Sequence, residues 1–584
     1  MESIPKAERP NNDSSDSNDG KNAVNNEKYR FDELKGWKSY RLLRPGRGMY
    51  HDFCRRLPYY ASDITDAWTY RVIASTIRMY FVNLLPALAY TLDMYRRTGS
   101  FYGVNEALFS SALAAVVFSV LGAQPLTIVG ITGLISLFNY TIYDIINLYE
   151  PEIYPMFMAW TAIWAAVFHW LVALANVCDY MRYVTDFSSE AFGMYVGIIY
   201  MIKGVEELVA QFTQDGPING YASCMIAILY FGTIYGLEKI GAGILCKPYL
   251  RRFLADYAYV FGTIFWVGFS HIPGTLKTSH LAVVPISRAF HPTQPRSWLI
   301  SFWELDIKWV FVAMPFGFLV MLLFYYDHNV SSITAQAKQF PLKKPGGFHW
   351  DFFLLGCTTF VAGILGLPLP NGLVPQAPVH TDSLTNYTTN VQVIQGSLED
   401  REDGPEIRTP IIVAESVVEQ RVSHFFMSLA LIGTMTGPLL IVLHTMPQAI
   451  FAGVFFVVGW ASIETNGMTK KLLFLMTERR FVSASEPLLR VPRSKTWLFI
   501  SLQALGVAST VAISQTIAAI GFPILICALI PMRVVFLPRL FSAPELDVLD
   551  SLTANNEVVL ASLGGRPRFG RENKVGVEAE ALEA

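Results

Sequence analysis

The chain has 584 residues, of which 52% are hydrophobic and only 16% charged, and its formal net charge is −2. Soluble domains carry about 25% charged residues, so this composition excludes an ordinary soluble protein. The near-neutral balance also excludes a strongly basic nucleic-acid-binding protein. Long apolar runs recur from about residue 70 to residue 536, which is typical of a polytopic helical membrane protein. The first thirty residues are polar and lack a secretory signal peptide, so the first span is expected to act as the insertion signal.

Apolar runs of about 17–25 residues predict fourteen membrane spans. They comprise residues 72–95, 107–123, 125–143, 154–177, 190–212, 221–238, 253–270, 308–330, 349–368, 373–388, 421–443, 447–464, 496–512 and 514–535. Residues 465–480 are too charged to cross a membrane and predict an amphipathic helix on its inner surface. Residues 381–420 predict a polar, partly acidic cytosolic loop.

Positive charge is unevenly divided between the loops. Lysine and arginine concentrate before the first span, in every second loop after it, and in residues 470–495. The other loops hold only Arg96, Arg97, Lys277, Arg288 and Arg296. Because cytosolic loops carry the excess of positive charge, both termini are predicted to face the cytosol.

The third apolar run is interrupted by Gly122-Ala123-Gln124-Pro125. The uncharged stretch between Glu106 and Asp144 is longer than one span and shorter than two. Proline is tolerated in the first turn of a helix. We therefore predict a full helix that ends near Gly122, an extended break, and a half-helix that starts near Pro125.

The tenth run has the same character. Residues 365–386 contain four prolines, including Pro375, with Asn371, Gly372 and Gln376 between them. The two interruptions fall third in each half of seven spans, which predicts an inverted repeat with two discontinuous helices. Two facing half-helix N-termini would suit an anion. The alternative is that both are proline kinks in packed helices.

Two polar side chains lie inside apolar runs. Asp327 follows a long apolar stretch and lies about 27 Å along a helix counted from Trp309, so it could simply mark the cytosolic helix end. If the helix continues to Lys338, the carboxyl lies deeper and could carry a proton. Asn83 in the first span is either a packing residue or a site residue.

Seven motifs resemble the bicarbonate and borate transporter family, which includes the red-cell anion exchanger, band 3. They are VLGAQPLTIVG (120–130), RSWLI (296–300), FYYDHNVSS (324–332), GFHWD (347–351), GLPLPNGLVPQAPVHTDSL (366–384), VVEQRVSHF (417–425) and PQAIFAGVFFVVGWASI (447–463). The resemblance covers about residues 30–550. The form LPNGLVPQAPVHT is similar to that of the fungal and plant boron exporters.

The resemblance implies an all-α protein of fourteen spans in a 7+7 inverted repeat, with half-helices at spans 3 and 10. A core of spans 1–4 and 8–11 (about 70–180 and 304–443) would move like an elevator against a gate of spans 5–7 and 12–14 (about 187–272 and 447–536). Cytosolic tails would occupy residues 1–69 and 537–584. Members are usually homodimers, here expected to pair through the gate.

The resemblance also implies roles for individual residues. Asp327 matches the acidic residue that transport requires in the family. Gln124, Thr127 and Gln376 fall at the two expected half-helix starts, and Asn83 joins them as a candidate for substrate binding. Pro125, Pro375 and Asn371 mark the breaks.

Two departures from the red-cell exchanger bear on the substrate. Gln376 stands where that exchanger has an arginine, and the missing cation argues against chloride–bicarbonate exchange. Borate forms from boric acid only at alkaline pH. A site for borate would stabilise it through dipoles and hydrogen bonds to its hydroxyl groups rather than through a full positive charge. The large cytosolic N-terminal domain of the animal exchangers is not expected here.

We therefore expect a secondary transporter that exports borate or boric acid and gives boron tolerance. Its expected location is the plasma membrane, with vacuolar or endosomal membranes as a further possibility. The alternatives are a bicarbonate or chloride exchanger, a nucleobase or sulfate transporter, and a membrane scaffold or sorting protein. An enzyme is least expected, because no metal-ligand spacing, nucleophile elbow or phosphate loop occurs. We expect no cofactor and no metal.

Overall fold

The computed structural model describes residues 44–214, 216–243, 245–274, 281–395, 406–483 and 486–563. Within these ranges the protein is predominantly helical and contains two antiparallel two-stranded sheets. The predicted class, an all-α polytopic membrane protein, is confirmed.

The first half of the chain consists of helices and one short strand. They are α1 (Arg47–Arg56), α2 (Ser62–Thr65), α3 (Tyr70–Arg97), α4 (Val104–Leu121), β1 (Val129–Gly130), α5 (Gly133–Asn147), α6 (Tyr154–Leu174), α7 (Asp186–Gln214), α8 (Pro217–Ala242), α9 (Pro248–Asp256) and α10 (Ala258–Ser270).

The second half repeats this pattern and adds a hairpin. Its elements are α11 (Ile307–Ala335), α12 (Phe348–Ile364), β2 (Asn371–Gly372), α13 (Gln376–Ser383), β3 (Thr385–Gln395), β4 (Glu406–Val417), α14 (Val422–Thr434), α15 (Gly437–His444), α16 (Ala449–Thr465), α17 (Gly467–Met476), α18 (Arg493–Ser514), α19 (Phe522–Val535), α20 (Leu537–Leu540), α21 (Ala543–Leu549) and α22 (Glu557–Ser562). Single 3₁₀ turns cover Leu57–Tyr59, Pro151–Ile153, Val177–Tyr183, Phe302–Glu304, Arg479–Phe481, Pro487–Arg490 and Ile517–Gly521.

Seven helical segments in the described ranges are long and apolar enough to cross a membrane. Three bent pairs could each add one span: α9 with α10 (60°), α14 with α15 (83°), and α16 with α17 (61°). Helices α5 and α13, with 15 and 8 residues, are too short to cross an apolar layer of about 30 Å. The count of fourteen spans stays a prediction.

The predicted loop at 381–420 is wrong in its described part, because β3 and β4 form an antiparallel hairpin there. The β-branched residues of "IIV" (411–413) and "TT" (388–389) favour extended backbone. Helix α17 lies within the predicted amphipathic segment 465–480. Its Lys471 is buried and binds Glu190 of α7 at 2.7 Å, so α17 packs against the protein.

A buried ion-pair network joins the ends of several helices. The carboxylate of Asp63 is fully buried and contacts Arg56 (2.6 Å), Lys344 (2.9 Å) and Arg421 (3.0 Å). Arg421 also donates to the carbonyls of Ser119 and Val120, each at 3.0 Å, and so caps the C-terminal end of α4. Asp63 thus neutralises the cations that hold this end of α4 in place.

The Asp63→Asn variant is expected to be much less stable than the parent chain. It leaves three cations around an uncharged amide, and breaking a buried pair costs about 3 kcal/mol or more. The matched control is Asp144→Asn, which removes an exposed pair with Arg97 worth about 1 kcal/mol or less. The measurement is the thermal unfolding midpoint of the detergent-solubilised variants. Equal midpoints for the two would contradict the proposed importance of the network.

Candidate functional site

The backbone between α4 and α5 is irregular, with a turn in which the amide of Thr127 donates to the carbonyl of Gln124. Side chains from other helices bind its polar groups. The amides of Ala123 and Gln124 donate to the two oxygens of Asp351 on α12, at 2.6 and 3.0 Å. Nδ1 of His380, on α13, lies 2.9 Å from the carbonyl oxygen of Leu126. These contacts let a helix stop inside a membrane, because broken backbone there must be covered by protein.

The two breaks pair with each other. Strand β1 runs antiparallel to β2, with Val129 opposite Gly372 and Gly130 opposite Asn371. The amide of Leu373 also donates to the carbonyl of Ile128, at 3.0 Å. Each half-helix begins within a few residues of this pair, so the N-termini of α5 and α13 lie beside one another.

The start of the first half-helix differs from the prediction. Helix α5 begins at Gly133, eight residues after Pro125, and Thr132 is its N-cap, with Oγ1 accepting from the amide of Ile135. Residues 122–132 remain outside the helix because Asp351 and β2 supply partners that a helix would otherwise supply. Pro125 therefore lies within the break, and the prediction that it starts the half-helix is wrong.

The second break agrees with the prediction. Helix α13 begins at Gln376, and Pro375 is its N-cap residue. Asn371 lies in β2, at the break itself.

The two half-helix N-termini face a small cavity. The lining on one side comes from α3, α5, α11 and the start of α13, and α7 closes the opposite side. The lining residues are Tyr90, Thr132, Gly133, Leu134, Val196, Ile199, Tyr200, Asp327, Leu373, Val374, Pro375 and Gln376. The rings of Tyr90 and Tyr200 meet edge-on with centroids 5.2 Å apart. The cavity thus combines two helix N-termini, a carboxyl, an amide and hydroxyl groups.

Asp327 lies deep within the protein. Its side chain is 3% exposed, and Nδ2 of Asn371 donates to its Oδ2 at 2.7 Å. Helix α11 continues to Ala335, which places Asp327 about 12 Å before the helix end. The interpretation that Asp327 only marks the cytosolic end of the helix is therefore wrong.

Several buried polar atoms at the cavity make no hydrogen bond of normal geometry within the described residues. They are both side-chain polar atoms of Gln376 and the hydroxyl of Tyr90. Both side chains lie close enough to interact with the side chain of Tyr200. Most buried polar groups in proteins are well paired, so these weak contacts leave hydrogen-bonding capacity that a small hydroxylated ligand would use.

Three predicted site residues lie outside the cavity lining. Asn83 packs on β1, since a Cβ atom at Gly130 would lie 3.0 Å from its Oδ1. Gln124 and Thr127 lie in a turn of the break rather than at a half-helix start, and Oε1 of Gln124 accepts from the amide of Leu126 at 3.3 Å. Their expected place at the start of α5 is wrong, because that helix begins later.

The sequence analysis missed three lining residues with polar side chains: Tyr90, Thr132 and Tyr200. Thr132 could have been found, because a threonine immediately before an apolar helical run is a common N-cap signal. Tyr90 and Tyr200 carry no such signal. They belong to long apolar helices, and only the packing of α3 and α7 brings them to the cavity.

A large cleft of about 890 Å³ reaches the cavity from one side. It shares Val196, Val374, Pro375 and Gln376 with the cavity. Its lining extends to Arg71 and Arg252, on the side predicted to be cytosolic. The site is therefore reached from that side in this conformation.

The opposite side is closed by ion pairs between α3 and α7. Arg96 binds Glu207 at 2.7 Å, and Lys203 binds Asp93 at 3.0 Å. Arg96 also donates to Gln448. These contacts block the route from the predicted outer face.

Comparisons with known proteins agree with this geometry. The chain matches the family described as the HCO₃⁻ transporter integral membrane domain over residues 44–221 and 217–554. A Schizosaccharomyces pombe protein assigned as a transporter is 44% identical over 507 residues, covering 86% of this chain and 96% of that protein. Boron transporter 1 of Saccharomyces cerevisiae is 40% identical over 537 residues, covering 90% and 89%.

A solved structure has a related fold. The transmembrane domain of the cyanobacterial bicarbonate transporter BicA superposes with a TM-score of 0.51 at 15% identity, covering 77% of this chain and 97% of that one. At this identity the likeness concerns the fold alone. The two chains therefore share the general arrangement of their helices.

Gly133→Ala is expected to lower the thermal unfolding midpoint by several degrees. An added Cβ would lie 2.3 Å from the Tyr90 ring, closer than such atoms approach in proteins. The control is Gly232→Ala in α8, where the added Cβ meets nothing within 4 Å and no loss is expected. A Tyr90→Ala background should reduce the cost of Gly133→Ala. Equal cost in both backgrounds would show that Tyr90 is not the cause.

Proposed function

Because this chain belongs to the HCO₃⁻ transporter family, we propose that it is a secondary transporter that exports borate or boric acid from the cytosol across the plasma membrane. One observation carries the choice of substrate. The cavity offers helix N-termini, hydroxyl groups, an amide and a carboxyl, and no Lys or Arg occurs among the described residues that line it. The 40% identity to the yeast boron transporter supports the same substrate.

The charge of the cavity favours a neutral or weakly held oxyacid. Boric acid presents three hydroxyl groups, which can donate to Asp327 and to Oε1 of Gln376 while their oxygens accept from Nε2 of Gln376. A borate anion meets the positive ends of two half-helices but is repelled by ionised Asp327. Protonation of Asp327 would remove that repulsion, so anion binding and proton binding are coupled at this residue.

Bicarbonate is the alternative substrate and fits less well. It is anionic at neutral pH and carries a single hydroxyl group, so it gains less from these acceptors. Without a fixed cation, only the half-helix dipoles would stabilise the negative charge of bicarbonate, and an ionised Asp327 would repel it.

Transport requires the site to open alternately to both sides. The cleft supports an inward-facing state in the present conformation, and the Arg96–Glu207 and Lys203–Asp93 pairs would have to break on the outer side. The core helices carry both half-helices, while α7 of the gate only covers the cavity. We therefore propose that the core slides against the gate as an elevator, with both termini cytosolic.

The gate is also the proposed contact between two copies of the chain, which would leave the core free to move. The solute crosses chemically unchanged, so the protein acts as a transporter rather than an enzyme.

The test is boron content in boron-loaded yeast cells that express each variant at matched surface abundance. The parent chain is expected to lower cellular boron. Asp327→Asn should slow export about tenfold or more, because a charge-assisted hydrogen bond and the proton acceptor are lost together. The matched control, Asp547→Asn on the exposed face of α21, should export normally. Normal export by Asp327→Asn would overturn the role of this carboxyl.

Gln376→Arg separates the two substrate choices. An arginine at the start of α13 would neutralise Asp327 or bind a stronger anion, so boron export should fall and chloride or bicarbonate flux should appear. If the parent chain reaches the surface, leaves boron unchanged and carries bicarbonate, borate export is the wrong function.

A further inference from the structure

The segment that follows α21 docks on the gate. Asp550 accepts from the amide of Phe187 at 2.8 Å and binds Arg533 at 2.7 Å. The amide of Asp186 donates to the carbonyl of Ser551 at 2.9 Å, and the amide of Thr553 donates to that of Val184 at 3.2 Å. This part of the chain is thus held along the first turn of α7 by an ion pair and backbone hydrogen bonds.

The same segment then reaches the core. Oδ1 of Asn555 accepts from the amide of Lys338, just beyond the end of α11, at 2.9 Å. The guanidinium of Arg55 donates to the carbonyl of Ser562 at 3.2 Å. Arg55 lies on α1, before the predicted core, but α1 is tied to the core helix α12 because Oδ2 of Asp52 accepts from the amide of His349 at 2.8 Å. Val559 and Leu563 are buried. Residues 550–563, which we call the strap, therefore touch gate and core within fourteen residues.

The strap runs beside a covalent connection between the two parts. The chain passes from α6 of the core to α7 of the gate through residues 175–185, and Leu552 forms a β-bridge with Thr185 at the end of that linker. Thr553 and Asn555 also line the cytosolic cleft. Any sliding of the core past the gate must bend this linker, and the strap lies across the same joint.

The two ends of the strap are held by different contacts. The gate end has an ion pair of a fully buried carboxylate with Arg533 and several backbone hydrogen bonds. At the other end, Asn555 and Ser562 accept hydrogen bonds, and Val559 and Leu563 are buried in the hydrophobic core. The hydrogen bond from the Lys338 amide to Asn555 joins the strap to the end of α11, so its loss would loosen the strap from the core while the gate end stays docked.

We propose that the strap restrains the core in the inward-facing position, and that release of its core end speeds the exchange between inward-facing and outward-facing states. The proposal rests on the alternating access proposed above, but not on the identity of the substrate. In this proposal the C-terminal segment slows the transport cycle. Removal of the Asn555 contact should raise the rate, whereas loss of a merely structural contact should lower it.

The first measurement follows the conformation without any substrate. Spin labels are placed on exposed positions near the predicted outer face, at Glu150→Cys on the core side and Ile218→Cys on the gate side, in a chain whose six native cysteines are replaced. Pulsed electron–electron double resonance in lipid nanodiscs reports the distance distribution. Asn555→Ala is expected to raise the minor, outward-facing population about twofold or more.

The control is Asn555→Asp, which retains an acceptor for the Lys338 amide and should behave as the parent chain. A chain that ends at Thr553 should show the larger effect of complete core-end release. Boron efflux is measured for the same variants and should rise with the minor population. Should truncation prevent folding, the Asn555→Ala and Asn555→Asp pair still decides the matter.

An unchanged distance distribution in folded Asn555→Ala would overturn the proposal, as would a lower efflux rate with an unchanged distribution. If the distribution responds as expected while no variant moves boron, the strap proposal stands and borate export fails. The two proposals can therefore fail separately.

Discussion

Two interrupted helices whose backbone must be satisfied inside a membrane determine the rest of this structure. An unpaired amide or carbonyl in hydrocarbon costs several kcal/mol, so each break needs dedicated partners. Pairing of β1 with β2 satisfies some of the backbone groups of both breaks. Asp351 and His380 bind much of the remainder of the first break. Within the half-helices, the amides of Gln376 and Ala377 bind the carbonyl of Leu373, and the amide of Ile135 binds Thr132. The N-terminal ends of both half-helices then face the cavity.

The pairing explains which features could be predicted from the sequence. Proline and glycine inside apolar runs reveal the two breaks, and their equal positions in the two halves predict a repeat. The start of α5 could not be placed, because the residues from Gly122 to Thr132 are held in a non-helical conformation by partners more than two hundred residues away in the chain. Asp351 and His380 look like ordinary helix residues until the fold brings them to the break.

The sequence also left open how deeply the Asp327 carboxyl is buried. Asp327 follows an apolar run, and only the continuation of α11 to Ala335 shows that the carboxyl is buried beside Asn371. The aromatic lining from Tyr90 and Tyr200 likewise depends on how α3 and α7 pack. By contrast, Gln376 was placed correctly at the start of α13, because its preceding proline marks the helix start. Local signals predict helix ends, whereas long-range packing decides which side chains share a cavity.

The central claim is that the ligand sits between the two half-helix N-termini, and one labelling measurement tests it most directly. Thr132→Cys places a thiol at the N-cap of α5, and its modification by a small methanethiosulfonate reagent from the cytosolic side can be timed with and without boric acid. Slower labelling in boric acid, with no protection by sulfate, is the result we predict. Labelling at the same rate in both would contradict the placement of the substrate at this site.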